Sequence, residues 1–376
     1  MRIPLSGPDI DERDIEAVTQ VLRTPRLSIG PRIGEFESSL ARYVDAAHAV
    51  AVNSGTSGLH LCIRALGIRD GDEVILPSFT FIAAANAVRY EKAVPVFVDV
   101  APDTLNLNPE KVEAAITPRT RAILVVHTFG CPAPMGDILD IAHRHGLRVI
   151  EDACEAIGAE WRGRKVGPLG DAGVFAFYPN KQITTGEGGA VVTQNPEIAA
   201  RCKKLRNHGR SESDEWFAHS ELGYNYRISE INCALGSAQL KRIECILERR
   251  EAIARAYHER LSGNPGVRLP VITMPGDRIS WFVYVIRLSG EFSRLHRDWI
   301  VKEMASHGIG CGRYFAPIHL QPAYRDHAAY QQTNLPVTEW NADRTIALPF
   351  FNRIEDSEID EVSAVLKQTI ECACFL

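Results

Sequence analysis

Lys181 lies in the run Phe175-Ala-Phe-Tyr-Pro-Asn-Lys-Gln-Ile-Thr-Thr-Gly-Glu-Gly-Gly189, and Asp152 closes an apolar, strand-like segment, Leu147-Arg-Val-Ile-Glu-Asp152. A lysine amine condenses with an aldehyde cofactor to a Schiff base, and an ionised aspartate keeps a pyridine nitrogen protonated, which makes the ring an electron sink. The two residue types together point to pyridoxal 5'-phosphate (PLP). A lysine by itself is usually a solvated surface charge. The neighbours of Lys181 are what give it weight.

Asn53-Ser-Gly-Thr-Ser-Gly58 follows one strand-like run and opens a helical pattern. The backbone N–H groups from Gly55 onward and the hydroxyls of Thr56 and Ser57 are placed to meet a phosphate at the positive end of that helix. The same residue types are ordinary cap and turn material, so the phosphate reading leans on Lys181 and Asp152. Pro77-Ser-Phe-Thr-Phe81 ends another strand, at the edge where open α/β sheets place ligands, and Phe81 is either core or a face for a cofactor ring. Gly186-Glu-Gly-Gly189 leads straight into a strand rather than a helix, so it reads as a tight turn that positions Lys181, not as a phosphate loop. Gly223-Tyr-Asn-Tyr-Arg-Ile228 brings an amide, Asn225, and a guanidinium, Arg227, together before a long helical stretch; both are good phosphate or carboxylate ligands. His127, His208 and His319 read more readily as hydrogen-bonded structural residues than as catalysts.

Elements that must hold these residues come from the alternation of apolar and amphipathic runs. A helical segment over about 9–23 and a Gly/Pro stretch, Ser28–Arg32, precede strand-like runs at Ala49–Val52, Glu73–Leu76, Val94–Val98, Ala122–His127, Arg148–Glu151, Gly173–Phe177 and Ala190–Thr193. Helical patterns fall between them at about 56–67, 80–90, 109–116, 135–145 and 196–206. Seven strands joined mainly by helices predict an α/β protein with a mostly parallel seven-stranded sheet. A helix from Ser229 to about Ser262 leads to strands near 267–272 and 281–288 and helices near 294–307 and 355–370. The expected division is a large domain over 1–240 and a smaller C-terminal α/β domain over 241–376.

Bulk properties narrow the function. The 376 residues are 45% hydrophobic, enough for a buried core and an enzyme. A net charge of -5 with scattered basic residues argues against nucleic acid as a partner. The first ten residues lack a signal peptide's apolar core, and no apolar run reaches the ~20 residues of a membrane span, so a cytoplasmic protein is expected. Nine cysteines, an odd number, show no paired zinc spacing, and Cys372-Ala-Cys374 has no His or Cys beside it; reduced thiols and no metal are expected. Cys154, close to Asp152, reads as a small buried filler rather than a nucleophile.

Taken in order, Ser54-Gly-Thr-Ser-Gly58, Pro77-Ser-Phe-Thr-Phe81, Pro95-Val-Phe-Val-Asp99, Glu151-Asp152, Lys181, Thr184-Thr-Gly-Glu-Gly-Gly189, Arg206-Asn-His-Gly209, Gly223-Tyr-Asn-Tyr-Arg227 and His319-Leu-Gln-Pro322 resemble the DegT/StrS-type sugar aminotransferases, nearly end to end. The resemblance implies the PLP-transferase fold of type I. It also implies a PLP-dependent aminotransferase, with pyridoxamine phosphate as its intermediate form, moving an amino group from L-glutamate to a nucleotide-linked keto-sugar. Lys181 would be the Schiff-base lysine, Asp152 the partner of the pyridine nitrogen, Phe81 the stacking ring, and Gly55, Thr56 and Ser57 phosphate ligands. Glu155 would lie near the ring hydroxyl, Arg227 would contact substrate, and Asn225 would reach the cofactor phosphate of the other subunit of a homodimer. Many relatives carry a phosphate-binding serine five residues before the lysine; here the residue is Ala176. A keto-inositol acceptor would leave the constellation unchanged. The family's dehydratases carry His in place of the lysine, and a PLP-binding regulator would need an effector module that the chain lacks.

Overall fold

The computed structural model describes residues 1–210, 218–272, 274–326 and 333–374. The seven apolar runs become one sheet of strands β1 (His48–Val52), β2 (Glu73–Pro77), β3 (Val94–Val98), β4 (Thr120–Val126), β5 (Arg148–Asp152), β6 (Ala172–Ala176) and β7 (Gly189–Thr193), in spatial order β1-β7-β6-β5-β4-β2-β3. The pairs β2 with β3, β2 with β4, β4 with β5, and β5 with β6 are parallel. Helices cover both faces, which is why β2 and β7 are buried at every position and read as unbroken apolar runs. β7 runs antiparallel to both β1 and β6. Only a non-helical connection, residues 177–188, joins β6 to β7, so no crossover returns the chain to a parallel direction. Lys181 sits in that connection.

Two helical features depart from expectation. Pro31–Tyr43, anticipated only as the tail of a Gly/Pro stretch, is a helix that starts with Pro31 in its first turn, where a missing N–H costs nothing, and buries Phe36 and Leu40. The long helix predicted over 229–262 is two, Glu230–Lys241 and Ile243–Leu261, broken at Arg242 (φ -116, ψ 15). The Arg242 guanidinium bonds Asp9 and Asp14, each at 2.9 Å, tying the break to the N-terminal segment.

A second core surrounds a three-stranded antiparallel sheet of Val267–Arg268, Tyr284–Leu288 and Thr345–Leu348. The strand expected over 267–272 is thus shorter, and Thr345–Leu348 was not anticipated. Tyr257, Tyr284, Ile286, Leu348 and Leu366 fill this core, the aliphatic side chains each worth roughly 1.5–3 kcal/mol of burial. Ile3 joins it from the N-terminus, whereas Ile246 and Leu247 of the helix Ile243–Leu261 pack with the core beside β1 and β7. Asp99, just past β3, accepts from Val337 N (2.9 Å), Thr338 N (2.8 Å) and Thr338 Oγ1 (2.8 Å), so it caps the helix Pro336–Ala342 from across the chain.

Candidate active site

Asp152 is the last residue of β5, in register with Val126 at the end of β4, so its side chain stands at the carboxyl edge of the parallel strands. It is 7% exposed, and its Oδ1 accepts the Cys154 N–H at 3.1 Å. Burial pushes its carboxyl above the ordinary 3.8, opposed by the thiol and N–H of Cys154 and by the charge of Lys181.

Lys181 reaches this edge from the β6–β7 connection, whose base is closed by Phe177 N to Gly188 O and Thr185 N to Phe177 O, both 2.9 Å. Gly186 takes φ +81 there, in accord with a tight turn. The Lys181 ammonium lies 3.6 Å from Glu155 Oε1 and 3.9 Å from the centre of the Phe282 ring, with a side chain only 13% exposed. Glu155 Oε2 accepts the Phe129 N–H at 3.0 Å. Burial raises the Glu155 pKa, opposed first by the Lys181 charge. The next residue, Gln182, points the other way: its Nε2 donates to Glu155 O at 2.7 Å and to Ser280 O and Oγ, both at 2.9 Å.

The helix Gly55–Ala65 begins beside these residues. Ser54 caps it by accepting the Ser57 N–H at 3.1 Å, and the Ser57 hydroxyl donates to Asn53 Oδ1 at 2.7 Å. Ser57 would therefore have to exchange partners to serve an anion, while Gly55 and Thr56 occupy the first turn, whose N–H groups have no intrahelical acceptor. A Cβ on Gly55 would come within 2.8 Å of the Ala176 Cβ and 3.0 Å of the Cys154 Sγ. The helix start is thus pressed against the end of β6 and the Asp152 turn, and a buried carboxylate, an amine and a helix N-terminus share one edge. Those residues fit PLP: an amine for its aldehyde carbon, a carboxylate for its ring nitrogen and a helix start for its phosphate.

The remaining candidates fall into two sets. Phe81 borders the strand end Pro77 and is 62% exposed; Asn225 is exposed too, its carbonyl accepting from Asn53 Nδ2 at 3.4 Å. Neither touches Lys181 within one chain. Arg227 bonds Asn207 Oδ1 at 3.0 Å and lines a separate basic cleft of about 540 Å³ with Lys203, Lys204, Arg206 and Arg210. His127 is fully buried, accepts the Ala133 N–H on Nδ1 and reaches Glu151 through Nε2, both at 3.0 Å. His319 joins Ser78 Oγ (2.7 Å) to Glu339 (3.1 Å). His208 has φ +57 and gives its carbonyl to His219. The rings of His127 and His319 and the carbonyl of His208 are thus engaged within the fold. Burial pushes the Cys154 thiol well above its ordinary range, so it is no nucleophile. Sequence reasoning missed Phe129, Gln182 and Phe282, which carry no local signal because their partners lie far along the chain.

A model of the DegT/DnrJ/EryC1/StrS aminotransferase family matches residues 8–367. GDP-perosamine synthase of Caulobacter vibrioides is 41% identical over 373 residues, 98% of this chain and 98% of that protein. Among solved structures, DesV of S. venezuelae, in complex with a ketimine intermediate, has a TM-score of 0.89 at 37% identity, covering 98% of this chain and 99% of that one. The PLP form of a Streptococcus pneumoniae protein has a TM-score of 0.94 at 27% identity, covering 99% and 100%.

Proposed function

This chain belongs to the DegT/DnrJ/EryC1/StrS aminotransferase family, and we propose that it uses PLP to move an amino group from L-glutamate to the keto group of a nucleotide-linked keto-sugar. The observation that carries this reading is the meeting of the Lys181 amine, 3.6 Å from Glu155, with the buried Asp152 carboxylate at one sheet edge. The sugar acceptor draws support from the likeness to GDP-perosamine synthase, and the cofactor from the family and the PLP-form neighbour.

When bound, PLP supplies an aldehyde carbon and an electron-withdrawing ring. The residues divide the rest of the work. Lys181 Nζ would hold that carbon and, as a free amine, would move a proton from the amino carbon of glutamate and give one back. Asp152, once ionised, would keep the proton on the ring nitrogen. Glu155 faces Lys181 and would meet the ring hydroxyl. Gly55, Thr56 and Ser57 would bind the phosphate and Phe81 would cover one ring face, while Arg227, in a separate cleft of its own chain, would contact an acceptor only across the interface of two copies.

We further read the working unit as a homodimer in which Asn225 serves the other copy's phosphate. Phe81 at 62% exposure and Tyr178, on the lysine's own loop, at 51% are apolar rings left open beside the site on one chain, as expected for a surface that a second copy covers. The division at residue 240 between a cofactor-holding domain and a smaller one is part of the same reading.

Two measurements test it. Borohydride reduction followed by mass mapping should put the cofactor on Lys181; a different lysine would overturn the assignment. A panel of GDP-, UDP- and dTDP-linked keto-sugars and keto-inositols with glutamate should yield an amino sugar, and turnover of the keto-inositol alone would refute the acceptor class.

A further inference from the structure

Asn225 points outward because its neighbours are held inward. Residues 224–226 are extended: Tyr224 N donates to Leu205 O at 2.7 Å, Tyr226 N to Arg206 O at 3.0 Å, and Asn53 N to Tyr226 O at 3.0 Å. Successive side chains of such a segment face opposite ways. Tyr224 and Tyr226 accordingly stack with ring centres 4.9 Å apart while Asn225 is exposed.

Beneath the two rings lies a cluster whose described side-chain bonds go to none of the cofactor candidates. His60 and Arg64 come from the helix Gly55–Ala65, and Glu91 follows the helix Ala83–Tyr90. Glu91 Oε1 accepts from Tyr224 OH at 3.0 Å and from His60 Nε2 at 2.8 Å, and Oε2 accepts from Arg64 Nη1 at 2.7 Å. The remaining ring nitrogen, His60 Nδ1, lies 3.0 Å from Tyr226 OH. This pattern assigns a neutral His60 with its proton on Nε2, accepting from Tyr226 on Nδ1. Both tyrosine hydroxyls are thereby anchored to one carboxylate, directly or through the imidazole.

A partly buried ion cluster of this kind gains little net stability, because desolvation offsets much of its attraction. What it does supply is orientation: with both flanking rings fixed, the backbone at 225 cannot turn its side chain inward. We propose that the His60–Arg64–Glu91 cluster positions Asn225 for the cofactor site of a second copy of this chain, an inference that rests on the shared-site reading above. His60, Arg64, Glu91, Tyr224 and Tyr226 are positioning residues, acting on the cofactor only through Asn225.

The test uses Glu91→Gln, which keeps the shape but replaces one acceptor oxygen with a donor, in two kinds of heterodimer. In the first, a Glu91→Gln chain is paired with a Lys181→Ala chain. The lysine-bearing site then receives Asn225 from an intact cluster. In the second, an unaltered chain is paired with a chain carrying both substitutions, so the lysine-bearing site receives Asn225 from the altered cluster. The readout is the PLP concentration that half-saturates borohydride labelling of Lys181. It should rise roughly fivefold or more in the second pairing, the loss of about one hydrogen bond, and stay unchanged in the first. A rise in the first pairing, in both alike or in neither overturns the proposal. Tyr224→Phe, which removes one hydroxyl and keeps the ring, should repeat the pattern more weakly and serves if Glu91→Gln does not fold. Asn225→Ala run through the same pairings separates the two readings. If it follows the expected pattern and the cluster variants do not, only the cluster's role falls; if it has no effect in either pairing, the shared site itself falls.

Discussion

Asp152→Asn isolates charge from shape. The variant keeps an oxygen where Oδ1 accepts the Cys154 N–H at 3.1 Å, so the turn after β5 and the contact with Gly55 should survive. The other corner becomes an uncharged NH2 donor, which cannot hold a proton on a ring nitrogen. Asp152 is 7% exposed, so water replaces little of the lost charge. Removing one partner of a buried ion pair costs about 3–5 kcal/mol; at 1.36 kcal/mol per decade, even the lower figure predicts a loss of at least ~10²-fold in the half-reaction with glutamate. The assay is stopped-flow absorbance of the PLP-loaded variant mixed with glutamate, alongside the PLP dissociation constant. Cofactor should still bind, because the helix start and Lys181 are untouched. A half-reaction within about fivefold of the parent would refute the electron-sink role, since a dispensable charge could not carry that step.

Three further outcomes are expected. Ala176→Ser places a hydroxyl against the start of the helix Gly55–Ala65, so isothermal titration should show PLP binding unchanged or tighter by up to ~1.5 kcal/mol; a tenfold weakening would mean that this corner does not face the phosphate. In the cofactor-free protein, burial holds Glu155 above its ordinary 4.5, so as pH rises the unfolded chain ionises first and stability drains away until the folded group also ionises. Glu155→Gln should therefore match the parent's melting temperature near pH 4 and exceed it by a growing margin toward neutrality, and the opposite trend would contradict the assigned direction. Asp99→Ala removes three hydrogen bonds from the start of the helix Pro336–Ala342 and should cost about 1–2 kcal/mol in urea unfolding, with borohydride labelling of Lys181 retained.

What the sequence revealed follows from how local each signal is. The seven strands were legible because strands buried on both faces need continuous apolar runs, and Lys181 and Asp152 stood out because each lies at the end or turn of such a run. The helix Pro31–Tyr43 was hidden because proline and glycine mark a helix start as readily as a loop. The break at Arg242 is bonded to Asp9 and Asp14, more than two hundred residues earlier, and the Phe282 ring over Lys181 comes from the segment just before the strand Tyr284–Leu288, about a hundred residues on. Contacts of that kind leave no periodicity. Asp99 was visible as part of a family segment, but its role as a cap appears only when strand β3 and the helix Pro336–Ala342 meet.

The three hydrogen bonds from Gln182 set an order of assembly. Ser280 must be in place before the Gln182 NH2 next to Lys181 has its full set of acceptors, and Phe282 before the lysine has its aromatic floor. During synthesis the whole seven-stranded sheet leaves the ribosome before either residue does. A nascent chain ending near residue 260 would thus hold β1 to β7 yet lack the surroundings that orient its lysine. If Lys181 is the cofactor's lysine, as proposed, competence to capture the cofactor would arrive late, with the stretch that carries Ser280 and Phe282.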